Sequence, residues 1–270
     1  MLKTAEGATL RQAGTFRRLW ASRFLVWTLT RRAFQIRYRQ SFAGYLWAII
    51  PPLGMLAVGS LVFGQVAGLE AKKGSYALGT LAAVIPWNLF ANSVSTGIPI
   101  LYSSSNMITR LAFPRAALPL SVISQSLVSV AITCVLFLAF AIGGGDGVPI
   151  TAAWFPLLLA AEIILIAGVV LLGSAIDVFA RDMRLAVPFV VQLWLLLTPV
   201  MYPLPSPDSV PYWYELNPMT GFVESFRAIL VYGEAPDIAL LMPSLIGAAV
   251  LFLMGSWYFT ATEPRFADVV

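Results

Sequence analysis

Apolar and polar positions in this chain do not alternate with the period of a water-facing surface; they segregate into long blocks. Six windows are free or almost free of charge: 45–66, 77–102, 117–142, 153–176, 185–202 and 239–261. A bilayer's hydrocarbon, about 30 Å thick, is crossed by roughly 20 mostly apolar residues in a helix, and each window has about that length. The pattern predicts an all-α membrane protein with six transmembrane helices at those windows, a transmembrane domain over 45–261, an N-terminal region over 1–44 and a tail over 262–270. Prolines 51, 52, 86, 99, 156, 188 and 199 fall inside the windows. They would break soluble helices, but neighbouring helices in a membrane re-satisfy the freed backbone groups. Glu162 is the one formal charge within a window. A carboxylate there is a functional candidate, or else a group protonated or paired inside the bundle.

Charge gives these spans a direction. Residues 1–44 carry Lys3, Arg11, Arg17, Arg18, Arg23, Arg31, Arg32, Arg37 and Arg39. Arg110 and Arg115 follow the second window, Arg181 and Arg184 the fourth, and Arg265 the sixth, whereas the intervening loops hold only Lys72, Lys73 and Arg227. By the positive-inside rule both termini are cytoplasmic in the plasma membrane. The N-terminal region is too basic and interrupted for a signal peptide. Instead Phe16, Trp20, Phe24, Trp27, Phe34 and Tyr38 share one helical face, with Arg17, Arg18, Arg32 and Arg39 on another. That is an amphipathic helix lying in the interface, rings among the lipid headgroups and arginines toward anionic lipid, although Arg31, Leu25 and Ile36 interrupt the division. A basic flank that merely sets topology is the plainer alternative.

Two connections stand out. In the cytoplasmic loop SSSNMITRLAFPRAALPL, Asn106 is placed to cap a short helix running from Met107 toward Phe113, which Pro114 ends. With Arg110 and Arg115, and with Met107, Leu111 and Phe113 exposed, such a helix could plug into a cleft on a cytoplasmic partner; it could also be a tight loop resting on the bilayer. On the opposite side, Pro203 to Ile238 holds four early prolines and the run Tyr212, Trp213, Tyr214, then LNPMTGFVESFRAILVY. Asn217 as N-cap and Pro218 at the first helical position start a helix there. Phe222, Phe226 and Ile229 form its apolar face, and Glu224 and Arg227 can pair at i, i+3. It is too short and too polar to span, which predicts a re-entrant or surface-lying external helix.

Composition then removes most chemistry. The chain is 59% hydrophobic and 11% charged, against about 25% charged in soluble domains. It has no histidine and one cysteine, Cys134, so a His-ligated metal, a Ser-His or Cys-His pair and an intrachain disulfide cannot be built. No phosphate-binding loop of the G-x-x-x-x-G-K-[ST] type is present. No catalytic residue, metal or bound cofactor is expected, and ATP with its magnesium would have to sit on another polypeptide. The net charge of +4 reports orientation rather than nucleic-acid binding.

The runs RYRQSFAGYLW (37–47) with Pro51 and Pro52, RLAFPRAALPL (110–120), ARDMRLAVPFVVQLWLLLTPVMYP (180–203), LNPMTGFVESFRAIL (216–230) and the terminal FADVV resemble the membrane subunits of ABC type 2 exporters for polysaccharides and polyol phosphates. That family includes the O-antigen, capsule and wall teichoic acid permeases. The resemblance runs in order from about residue 16 to the end. It implies a homodimer, two copies of a separate ATP-binding subunit beneath it, and a lipid-linked glycan as cargo. It further implies a coupling helix around Asn106 to Arg115, an interface or gate helix from Phe16, and short re-entrant external helices.

A lipid-linked glycan needs a route past hydrocarbon, and aromatic faces suit both sugar C–H faces and lipid. The candidates are Trp47, Phe63, Trp87, Trp194 and Tyr202, with Tyr38 near the cytoplasmic mouth and Tyr212, Trp213 and Tyr214 near the exit; aromatic-belt anchoring is the competing role. Two other classes remain. A stand-alone flippase or secondary transporter would want several intramembrane carboxylates and internal repeats. An intramembrane glycan-transfer enzyme would want a polar cluster on a cytoplasmic loop, where Asp182 stands alone.

Overall fold

The computed structural model describes residues 27, 28, 30, 31, 46–59, 61, 76–110, 113–145, 147–202, 214 and 216–266. Among them the chain is all-α, without a strand. The helices are α1 (Leu46–Gly59), α2 (Tyr76–Gly97), α3 (Ile100–Ser103), α4 (Ser105–Arg110), α5 (Ala117–Gly144), α6 (Phe155–Phe179, entered through a 3-10 turn Ile150–Trp154), α7 (Met183–Leu197), α8 (Pro218–Arg227, continued by a π turn Ala228–Tyr232) and α9 (Ile238–Thr262, continued by a 3-10 turn Glu263–Arg265). Four are long and apolar enough to cross a membrane: α2, α5, α6 with its leading turn, and α9 with its trailing turn. Two shorter apolar helices, α1 and α7, fall in the first and fifth windows.

Proline accounts for two departures from the expected boundaries. The second window was read as one helix to Tyr102; α2 stops at Gly97 and α3 starts after Pro99, whose missing N–H cannot bond the carbonyl four residues earlier. The fifth window was read to Tyr202; α7 ends at Leu197, and Thr198 is extended (φ −107°, ψ 133°). Thr198 precedes Pro199, and a residue before proline is pushed out of the α region.

α2 is the centre of the bundle and packs on α1, α5, α6, α7 and α8. Leu81 to Leu89 are buried without interruption, together with Phe90, Ser93 and Val94. It is also the least hydrophobic of the four long helices. In lipid this is expected, because tails are as apolar as leucine and burial is driven by close packing and polar pairing rather than by escape from water. α5 and α9 present apolar side chains outward instead, including Val135, Ile142, Leu253 and Trp257. α9 packs most extensively on α6, and glycine makes the approach possible. A Cβ on Gly168 would lie 2.5 Å from the Leu251 carbonyl carbon, and one on Gly255 would press into the Gly168 carbonyl oxygen.

α2, α6 and α9 run in the same sense. The first residues of α2, the turn before α6, and Ser244 near the start of α9 all meet the segment around α8, while the far ends of the three helices meet α3, α4 and the chain after α9. The molecule therefore has two polar ends separated by an apolar bundle.

Of the N-terminal helix, Phe16, Trp20, Phe24, Phe34 and Tyr38 lie outside the described residues, as do Phe63, Leu111, Tyr212 and Trp213. Nothing is described of the side chains of Trp47 and Arg110. Trp27 is helical and 66% exposed, and Thr30, in the same stretch, donates through Oγ1 to the Ser121 carbonyl of α5 at 3.3 Å.

Candidate functional site

At the first end, α8 starts as its sequence dictates. The Asn217 side chain accepts from the Met219 N–H at 3.0 Å, and Pro218 holds the first helical position. Met219, Phe222, Val223, Phe226 and Ile229 are fully buried, and Phe226 meets Phe155 edge-on with ring centres 5.2 Å apart. A surface-lying helix is therefore excluded: α8 is a half-length helix embedded among α2, α6 and α9. Gly221 lets it approach α9, since a Cβ there would press into Ser244 Oγ and the Leu240 carbonyl; its N–H donates to Ser244 Oγ at 3.2 Å.

Irregular backbone at such depth persists only where protein satisfies its polar groups, and here side chains do so one by one. Arg227 is 3% exposed. Its Nη2 donates to the Pro199 carbonyl (2.8 Å) and the Val200 carbonyl (3.2 Å), its Nε donates to Gly79 (3.3 Å), and its Nη1 pairs with Glu224. The Tyr76 hydroxyl donates to the next carbonyl, Met201. Three successive carbonyls after α7 are thus taken up by two side chains. Burial raises the Tyr232 phenol above its ordinary value; Arg227 draws it down, and Glu224 and Glu234 push it up. The phenol stays neutral, and Glu224 is the counter-charge of Arg227. Asn217 also bridges to α7: it accepts from Trp194 Nε1 at 2.9 Å and donates through Nδ2 to Thr198 Oγ1 at 3.0 Å.

The aromatic path candidates divide. Trp87 is 1% exposed, enclosed within the single chain beside Phe90 (5.7 Å between ring centres). Trp194 is half-buried, edge-on to Phe90 at 4.9 Å. Tyr202 and Tyr214 share a hydroxyl–hydroxyl bond of 3.1 Å, and the Tyr202 hydroxyl also donates to the Leu196 carbonyl. Glu162 lies in α6 with its side chain fully buried, and neither carboxyl oxygen has a hydrogen-bond partner among the described residues.

The second end holds the short helix expected to meet a partner, with its faces reversed. Ser105 opens α4 and Asn106 lies inside it, not at its cap; the helix ends at Arg110, and Phe113 sits in the bend beyond, next to Pro114. Met107 and Phe113 are half-buried rather than exposed. They rest with buried Ile108 on an apolar cluster built from Leu101, Leu118, Leu171, Val178, Phe259 and Phe266. Among the side chains described between Leu101 and Phe113, the exposed ones are Tyr102, Ser103, Asn106 and Thr109, a row of polar, uncharged groups.

Charged side chains flank this segment. The Arg184 guanidinium carbon stands 3.4 Å from the centre of the Tyr102 ring, and Nε donates to Asp177 Oδ1 at 3.1 Å. The Arg115 N–H donates to Glu263 Oε1 at 3.1 Å, and the Arg115 guanidinium bonds the Glu263 carbonyl and stands 6.0 Å from the Phe266 ring. Sequence reading missed Asp177, Glu263 and Phe266. Asp177 lies one residue beyond the fourth apolar window, and the other two lie in the tail; a charge abutting an apolar window close in sequence to an arginine was the available signal.

The profile of the ABC-2 type transporter family matches residues 24–231. The chain is 27% identical over 257 residues to the O-antigen export system permease protein RfbA of Myxococcus xanthus, covering 94% of this chain and 98% of the relative. It is 23% identical over 248 residues to an O-antigen export system permease protein RfbA of Klebsiella pneumoniae, covering 91% and 95%.

Proposed function

The chain belongs to the ABC-2 type transporter family and is a multi-pass membrane protein, and on that premise we propose that it is the membrane subunit of an ATP-driven exporter of a lipid-linked polysaccharide of the O-antigen kind. The observation that carries this reading is the end-to-end match to O-antigen export permeases. In the working unit two copies of this chain pair, and two copies of an ATPase subunit, which bring ATP and magnesium, dock below them. Both termini face the cytoplasm, six segments cross the plasma membrane, and the N-terminal helix from Phe16 to Tyr38 lies in the interface.

The docking element is the segment from Ile100 to Arg115. Met107, Ile108 and Phe113 are spent on the chain's own apolar cluster, so the partner reads the polar row Ser103, Asn106 and Thr109. α1 and α7 leave Ile50, Val58, Leu185, Phe189, Leu196 and Leu197 exposed, apolar surface suited to lipid or to the second copy. Trp47, Trp194, Tyr202 and Tyr214, with Phe63, Tyr212 and Trp213, form the aromatic side of the route; Trp87 supports that wall from behind.

Depleting the chain from its native cells should make lipid-linked polymer accumulate on the cytoplasmic side and vanish from the surface; unchanged surface polymer contradicts the export reading. Thr109→Arg puts a charge on the exposed polar row, and purified complexes should then retain less than a tenth of the ATPase subunit. Full retention would place docking elsewhere.

A further inference from the structure

We propose that the segment from Tyr102 to Arg115 is fixed to the spanning helices by two polar mounts, Arg184 held between Tyr102 and Asp177 and Arg115 held by Glu263, and that Arg184 and Glu263 are positioning residues that carry its movement into α6, α7 and α9. The proposal rests on reading that segment as the ATPase docking element, and it adds how the stroke leaves it.

In the first mount one guanidinium touches three elements. Arg184 opens α7, Asp177 lies near the end of α6, and Tyr102 ends the turn of α3. The ring centre is 3.4 Å from the guanidinium carbon, a stacked cation–π arrangement, and the Asp177 side chain is fully buried. The planar fork is what such a three-way contact requires; a lysine's point charge could not stack and bond at once. In the second mount the Glu263 carboxylate accepts the Arg115 backbone N–H, the Glu263 backbone carbonyl accepts the Arg115 guanidinium, and Phe266, fully buried against Phe259 at 5.3 Å, seats the chain after α9 beneath them. Between the mounts Met107, Ile108 and Phe113 pack on the apolar cluster. Apolar contacts allow sliding, whereas directional, charge-assisted bonds resist it. A push on Asn106 or Thr109 is therefore resolved at the two arginines.

The first mount also has a second arrangement within reach. Among the described residues Asp177 Oδ2 and Arg184 Nη2 are both buried without a hydrogen-bond partner, so one bond of the possible two-bond fork is made between them. A modest rotation of the guanidinium would form the other. Switching elements have this character, two discrete arrangements of one contact.

The test uses the complex of this chain with its ATPase subunit in lipid nanodiscs, and intact cells whose surface glycan is labelled by periodate oxidation and a hydrazide dye. Arg184→Gln and Glu263→Ala should retain the ATPase subunit and its basal hydrolysis rate, while surface label falls at least fivefold at equal protein level. Arg184→Lys should fall in between. Tyr102→Phe, which keeps the ring, should stay within twofold of wild type, and Tyr102→Leu should fall with Arg184→Gln. Wild-type surface label in Arg184→Gln overturns the proposal. Loss of the ATPase subunit from Arg184→Gln overturns it as well, since Arg184 would then be part of docking. If Arg184→Gln is not recovered from membranes, the Tyr102 pair decides, because that ring is 44% exposed and its removal leaves the core intact. A wild-type chain that retains no ATPase subunit refutes the docking reading itself, before any variant is compared.

Discussion

Two arginines, at opposite ends of the same bundle, are bound in opposite ways. Arg227 is enclosed and spends its donors on Gly79, Pro199, Val200 and Glu224, tying α8 to α2 and to the chain after α7. Arg184 is partly exposed, makes one bond to Asp177 and leaves Nη2 unused. The first is a keystone: it has one satisfactory geometry, and removing it takes a donor from three carbonyls and the ion pair from Glu224. The second is a joint, with an alternative bond available.

Stability measurements can break this contrast. Arg227→Met should be the most damaging, costing about 3–5 kcal/mol because it breaks the ion pair with Glu224 and takes the buried donors away from three carbonyls; the check is the thermal melting of detergent-purified protein, and a wild-type transition would refute the keystone. Asn217→Ala removes the cap of α8 and the bridge to Trp194 and Thr198. It should cost about 1–2 kcal/mol, lower the same transition and increase amide exchange in α8. Arg184→Gln should shift the melt least, by about 1 kcal/mol, since the Arg184 side chain is partly exposed and glutamine still offers the buried Asp177 carboxylate a donor. If it destabilises as much as Arg227→Met, the two ends do not differ in kind.

The start of α8 was legible in advance because Asn217, Pro218, Glu224 and Arg227 act within one or two turns, where helix geometry alone fixes who meets whom. The same local rules misread α4. Asn106 is an acceptable cap by type, but Ser105 begins the helix, and Met107 and Phe113, expected to face a partner, were claimed by a cluster that includes Leu101, Phe259 and Phe266. Nothing within the loop announces that, since two of the three residues that claim them come from another helix and from the chain after it. Trp87 illustrates the same limit: an aromatic in an apolar window can line a route or fill a core, and only its neighbours decide.

The sequence by itself determined that the chain is an all-α membrane protein, roughly where its apolar helices lie, and that α8 begins at Asn217–Pro218, because hydropathy, proline and capping act over a few residues. Tertiary structure decided which polar groups meet across more than a hundred positions, Arg115 with Glu263 and Arg227 with Gly79, and which face of α4 is free. In lipid, apolar surface matches almost any apolar surface, so specificity falls to close glycine contacts and a few paired polar groups, and those partners are chosen by the fold.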